Sequence, residues 1–187
     1  MEKKKKVIVV LGMHRSGTSA ITRSLSMLGV NLGDALHPAG FDNPKGFWEN
    51  RECIAINEEL LRHFNSAYDC LDLRFESVVD DSFIRALKDR AIQLINRYLD
   101  ESDGLWGFKD PRTCRLLSFW RDVFQSIKCD VCFVIVLRNP VSVVASLTKR
   151  EQLPEEKSYL LWLQHVLPAV MNTEGQKRVV VDYDKFM

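Results

Sequence analysis

The sequence lacks a charge excess: 26 basic residues stand against 25 acidic ones, a net of +1. Such a balance provides no field for generic binding to nucleic acid or to an anionic membrane, so any bound anion must be held by a local site. Cysteine is scarce and scattered, at Cys53, Cys70, Cys114, Cys129 and Cys132. Cys129 and Cys132 form a C-x-x-C, but no second Cys or His pair follows at zinc spacing, so no metal site is expected. The expectation is reduced core thiols in a cytoplasmic chain. No apolar run is long enough to span a bilayer. The run behind Lys3 to Lys6, Val7 to Met13, is broken by His14 and Arg15 and has no small-residue cleavage site. The lysines read as a solvated tail, and neither a membrane nor a nucleic acid is expected as a partner. Repeats, low-complexity stretches and linkers are also missing. With 46% apolar and 27% charged residues, the 187 residues read as one globular domain. A chain of that size buries roughly 70% of its unfolded surface and needs no disulfides.

Strand and helix patterns alternate along the chain. Val7 to Gly12 is a continuous apolar run, the mark of a strand buried on both faces. Ile21, Leu25 and Leu28 share one face of a helix from about Thr18 to Leu28. Gly29 to Glu49 is polar and rich in turn residues, a loop of functional length. Asn50 caps a helix to about Asn65, and Asp80 or Asp81 caps another to about Leu99. Leu105 to Lys109 is a short strand, Arg115 to Phe124 a helix, and Cys129 to Leu137 a second strong strand. Asn139 and Pro140 form an N-cap and N1 pair for a helix to about Lys149. Pro154 opens a last helix, which Pro168 is expected to kink or end, and Val179 to Val181 is a final strand. This is an α/β pattern: a three-layer parallel sheet flanked by helices, whose ligands bind beyond the carboxyl ends of the strands.

The first strand runs into Gly12-Met-His-Arg-Ser-Gly-Thr-Ser19, and a helix starts there. Two glycines let the backbone wrap an anion, with the amides of Ser16 to Ser19 turned inward at a helix N-terminus. The G-x-x-x-x-G spacing matches an NTPase loop, but Thr18 stands where the phosphate-binding lysine belongs. Arg15 carries the positive charge instead. The next strong strand ends in Leu137-Arg138, an arginine where an NTPase places a magnesium-binding aspartate.

At these residues the sequence resembles the sulfotransferases that use 3′-phosphoadenosine 5′-phosphosulfate (PAPS), a family with a P-loop NTPase-like fold. Its 5′-phosphosulfate loop is matched by His14-Arg15-Ser16-Gly17-Thr18-Ser19, except at His14, where proline is usual. The resemblance continues through Asn43-Pro-Lys-Gly-Phe-Trp-Glu49, Lys109-Asp-Pro-Arg112, Arg138-Asn-Pro140 to Ser146, and Val181-Asp-Tyr-Asp184. It implies a sulfuryl transfer from PAPS to a hydroxyl or amine on a small-molecule, glycan or peptide acceptor. The product would be adenosine 3′,5′-bisphosphate, and no metal is required. It also implies that Gly12 to Ser19 hold the 5′-phosphosulfate and that Arg138 with Ser146 holds the 3′-phosphate. Ser142 competes with Ser146 for the serine role.

Sulfuryl transfer needs an anion cradle, a cation near the bridging oxygen and a base for the acceptor proton. Arg15 sits in the cradle. Lys109, at a strand end, inherits the leaving-group role from the resemblance. Asp110 and Arg112 read as a pair bracing that turn. Glu49 is the favoured base, because its apolar neighbours Phe47 and Trp48 would raise it above a free carboxylate's value of about 4.3. It also reads as the residue before a helix cap. His14 and His37 are alternative bases, whereas His63 and His165 read as partly buried structural residues. Phe41, Phe47, Trp48, Tyr68 and Phe75 are candidates for the acceptor pocket or for the core. Sulfotransferases usually continue past Met187 with a basic loop over the nucleotide, and that loop is not recognisable here. Two competing readings stay open: an ATP-dependent P-loop kinase and a nucleotide-binding protein without activity.

Overall fold

Among the described residues four strands, β1 (Lys6–Leu11), β2 (Leu105–Lys109), β3 (Asp130–Leu137) and β4 (Arg178–Asp182), form a parallel sheet in the order β2-β1-β3-β4. The elements are β1 (Lys6–Leu11), α1 (Thr18–Met27), α2 (Arg51–His63), α3 (Ser82–Glu101), β2 (Leu105–Lys109), α4 (Leu117–Gln125), β3 (Asp130–Leu137), α5 (Pro140–Glu151), α6 (Glu155–Met171), β4 (Arg178–Asp182) and α7 (Tyr183–Phe186). This computed structural model describes residues 5–40, 43–71 and 82–186. The proposed cap at Asp80 or Asp81, and the pocket candidates Phe41 and Phe75, lie outside them.

The central strands are apolar on both sides because both sides are covered. Val7, Val9 and Leu11 of β1 join Phe133 and Ile135 of β3 in the main core, which takes in α2, α3 and α4. Val10, Val134 and Val136 face the other way and pack on Ile21 of α1. Helices on both faces of one parallel sheet make the three-layer α/β architecture. β1 pairs with β3 from Lys6↔Asp130 to Leu11↔Ile135, and with β2 from Lys6↔Leu105 to Val10↔Lys109. The strand ends that carry Gly12, Lys109 and Arg138 therefore converge on one edge of the sheet.

Local signals worked where the sequence is explicit. Asn50 accepts hydrogen bonds from the amides of Glu52 and Cys53, and Asn139 accepts one from Val141 with Pro140 in the first helical turn. Other elements differ from their expected form. The helix expected from Arg115 begins as a 3-10 turn over Pro111–Cys114, and α4 proper starts at Leu117. α6 continues through Pro168 to Met171. The proline removes one N–H to a carbonyl a turn earlier, and the remaining ladder carries the helix on. The Gly29 to Glu49 stretch is a loop pinned to the fold. Gly107 donates its amide to Asn31 at 2.9 Å, His37 donates to the Glu49 carbonyl at 2.7 Å, and Val30 and Leu32 are buried. His165 is fully buried and His63 is exposed, with its ring stacked on Phe83 at 4.6 Å. Among the described residues, no helix is long and apolar enough to cross a membrane. All five cysteines are free, with Cys53 and Cys114 buried.

Candidate functional site

A cleft of about 460 Å³ opens at the carboxyl ends of β1, β2 and β3. That volume is in the range of small-molecule and cofactor sites. Its floor is the β1–α1 loop. Gly12 has φ +151°, and a side chain there would strike the Val136 carbonyl at 2.7 Å. Gly17 has φ +86°, and an added Cβ would lie 2.1 Å from the ring of Tyr183. Both positions are therefore closed to other residues by conformation and by space. Gly17 is the N-cap of α1 and offers no side chain, so no side chain caps the first-turn N–H groups. Those groups and the helix dipole favour an anion. Of the four amides expected to face it, that of Ser16 is committed elsewhere, to Met13 O at 3.2 Å in the turn.

Arg15 adopts φ 67° and Trp48 φ 58°. Neither has the short polar side chain that tolerates the left-handed region, so each carries roughly 1–3 kcal/mol of strain. Both line the same cleft.

Three cations meet here. Arg15 Nε donates to Ser146 Oγ at 2.9 Å, while Arg138 donates from its terminal nitrogen to Arg15 O at 2.9 Å. The two expected phosphate positions are thus joined through Arg15, and Ser146 bonds Arg15 where the sequence paired it with Arg138. Among the described residues the buried Arg138 Nε has no hydrogen-bond partner; the Asp184 carboxylate at 3.5 Å is an ion-pair neighbour only. The Arg138 guanidinium also lies 5.3 Å from the Tyr183 ring centroid. Ser16 Oγ is a second buried polar atom with no partner among the described residues. Buried polar atoms are normally paired, so both orphans fit a site built to receive an oxyanion.

Lys109 and Glu49 form the third centre. Lys109 Nζ is 2.5 Å from Glu49 Oε1 and donates to Ser19 Oγ at 3.3 Å. Ser19 in turn donates to Phe47 O at 3.1 Å. The carboxylate thus faces an ammonium at contact, where the sequence pointed to an apolar surround. Phe47 and Trp48 do line the cleft, but Trp48 is turned so that its Nε1 donates to Lys45 O at 2.8 Å.

The turn after Lys109 is braced from below. Asp110 is fully buried, accepts from the Arg112 amide at 3.0 Å and pairs with the Arg112 side chain at 2.9 Å. Asn57 donates to Asp110 at 2.9 Å and to Thr113 at 3.0 Å, and accepts from Trp120 Nε1 at 2.8 Å. The Asn57 contribution was missed in the sequence. Its signal was a polar residue inside the apolar stripe of α2, between Cys53, Ile56 and Leu60.

The histidines separate. His14 lines the cleft, yet its Nε2 is buried without a hydrogen-bond partner among the described residues, and its ring lies 5.4 Å from that of Tyr68 and 6.0 Å from that of His165. Burial holds it well below the ordinary imidazole value, with His165 and Arg112 acting in the same direction. His37 is exposed, packs on Phe47 and does not line the cleft. Among the described residues, no cluster of His, Cys, Asp and Glu is arranged to hold a metal ion.

No family model matches this sequence, and no curated protein matches it. Solved structures do. A sulfotransferase domain from the curacin biosynthetic pathway superposes with a TM-score of 0.54 at 13% identity, over 100% of this chain and 69% of that one. The sulfotransferase domain of the Synechococcus PCC 7002 olefin synthase gives 0.51 at 14% identity, over 100% and 69%. A putative kinase from Chloroflexus aurantiacus gives 0.50 at 11% identity, over 96% and 89%. What is shared is the P-loop-like α/β fold. The chain spans about two thirds of the length of each of the two sulfotransferase domains.

Proposed function

We propose that this cleft transfers a sulfuryl group from PAPS to a hydroxyl or amine acceptor. The observation that carries the reading is Arg138. It follows β3 beside the β1 loop, donates to that loop at Arg15 O, and keeps a buried Nε without a hydrogen bond among the described residues. A guanidinium there supplies a second phosphate position separate from the loop, as a 3′-phosphate requires. The similarity in fold to two sulfotransferase domains supports the same reading.

Each residue then has a task. The loop amides from Gly17 to Ser19 and the Arg15 guanidinium bind the 5′ end, and Arg138 with Ser146 binds the 3′-phosphate. Bound PAPS supplies the activated sulfuryl group. Lys109 has three N–H donors, of which two are engaged by Glu49 and Ser19. The third serves the oxygen at which leaving-group charge collects. Glu49, held against Lys109, accepts the proton of the acceptor hydroxyl or amine. Phe47 and Trp48 exclude water on the acceptor side.

Calorimetric titration tests this directly. The protein is expected to bind adenosine 3′,5′-bisphosphate more tightly than ADP in the absence of magnesium. One charge-assisted hydrogen bond contributes roughly 1.5–3 kcal/mol, or about 10- to 150-fold. Arg138→Ala is expected to remove most of that preference and leave ADP binding little changed. Equal affinities in the unmutated protein would defeat the PAPS reading, and magnesium-dependent preference for ADP would favour a kinase. Bisphosphate binding without turnover of PAPS over a panel of alcohols, phenols and amines would mark a binding protein.

A further inference from the structure

The cleft concentrates positive charge. Among the described residues, six of its lining side chains are basic, Arg15, Arg23, Lys45, Lys109, Arg138 and Arg150, and one is acidic, Glu49. This stands in a protein whose overall charge is +1. Four of the six are already engaged. Arg15 bonds Ser146, Lys109 pairs with Glu49, Arg138 lies by Asp184 and Arg150 lies by Glu151. Arg23 and Lys45 differ: among the described residues, neither side chain makes an ion pair or a hydrogen bond.

These two belong to one wall. The Ser19 hydroxyl bonds Phe47 O at 3.1 Å, which fastens the loop carrying Lys45 to the first turn of α1. Arg23 follows Ser19 by four residues and lies on the same helix face, about 6 Å further from the loop amides. Glu49 lies at the inner end of this wall, reaching Lys109, which in turn reaches Ser19. A molecule that places a hydroxyl at Glu49 and extends outward along the wall meets Arg23 and Lys45 next.

We propose that Arg23 and Lys45 form an anion subsite for the acceptor, so that the acceptor is a hydroxyl or amine compound carrying its own carboxylate or sulfate about 6–10 Å from the reacting atom, a separation set by one helical turn plus side-chain reach. The subsite rests on the sulfuryl-transfer reading of the same cleft. Its selectivity comes from charge complementarity, since unpaired cations repel each other until an anion joins them.

Two probes of nearly equal shape test it: 4-hydroxyphenylacetate, which is anionic, and 2-(4-hydroxyphenyl)ethanol, which is neutral. Each is titrated into protein saturated with adenosine 3′,5′-bisphosphate and followed by ligand-observed NMR. The anionic probe is expected to bind about 5- to 30-fold more tightly, the scale of two solvent-accessible charge contacts. The Arg23→Gln/Lys45→Gln protein is expected to bring that ratio near one, while bisphosphate affinity changes by no more than a few-fold. A ratio of one in the unmutated protein overturns the subsite, as does a ratio that survives the double substitution. Displacement of the bisphosphate by the anionic probe, or no binding of either probe at millimolar concentration, overturns it as well. Failure of the sulfuryl reading is seen separately, as loss of the preference for bisphosphate over ADP with no probe present.

Discussion

Lys109 Nζ and Glu49 Oε1 stand 2.5 Å apart with both side chains almost wholly buried, joining the end of β2 to the residue before the α2 cap. Removing one member strands the other charge away from water. Lys109→Met is therefore expected to destabilise the protein by about 3 kcal/mol in denaturant unfolding. Adding Glu49→Leu to it should recover part of that loss, because the stranded carboxylate is gone. If the two losses simply add, cleft water already solvates the pair and the two residues are energetically independent.

Glu49→Gln keeps the shape of the side chain and its acceptor for Lys109, and it removes the ability to take up a proton. Turnover of PAPS is expected to fall by about 10²-fold or more, with bisphosphate affinity nearly unchanged. Steady-state and binding measurements on the same preparation separate the two effects. Undiminished turnover would reassign the base, with cleft-lining His14 as the next candidate.

Gly17 and Tyr183 are coupled by space. Gly17→Ala is expected to cost about 2–4 kcal/mol, combining a left-handed backbone with the clash against the Tyr183 ring. In a Tyr183→Ala background the same change should cost only the backbone part, about 1–2 kcal/mol. Thermal unfolding of the four proteins gives the coupling. An unchanged cost in both backgrounds would mean the loop moves away from the ring without resistance.

His165 sets a pH limit. Burial pushes its imidazole down to about 4, Arg115 and Arg112 add to this, and the Nδ1–H bond to Leu161 O opposes it. The unfolded chain therefore binds a proton near pH 6.5 that the folded protein refuses until about pH 4. Stability should fall as pH drops through that window, by about 3 kcal/mol in total. His14, also held low, acts in the same direction. His165→Phe should flatten the slope of urea midpoint against pH between 6.5 and 4, and an unchanged slope would place the titration elsewhere.

What could be read from the sequence was what is local. A continuous apolar run, a glycine-bounded turn and an Asn-Pro helix start each need only neighbours to declare themselves, so β1, its loop and the α5 cap were legible. The Arg15 to Ser146 bond was not, because it depends on which way Arg15 turns after a left-handed backbone step. The Glu49 surround was misjudged for the same reason. Phe47 and Trp48 are adjacent in sequence, but Lys109 is adjacent in space. Pro168 does not end α6, because one lost hydrogen bond does not stop a helix that is otherwise well packed. Tyr183 stood in a motif without an assigned task, and its contact with Gly17 spans nearly the whole chain.

That last contact fixes the order in which the protein can become competent. The β1–α1 loop is translated before Arg138, which arrives with β3, and Tyr183 follows only after β4 has been made. At roughly 5–20 residues per second, the loop leaves the ribosome about 10–30 s before its cover exists. Parallel pairing of β1 with β3 must also wait until β3 has been made, and such non-local contacts form slowly. Under the proposed function, a nucleotide meets its full set of contacts only once Tyr183 has been made, so it would hold the folded protein rather than guide the early chain.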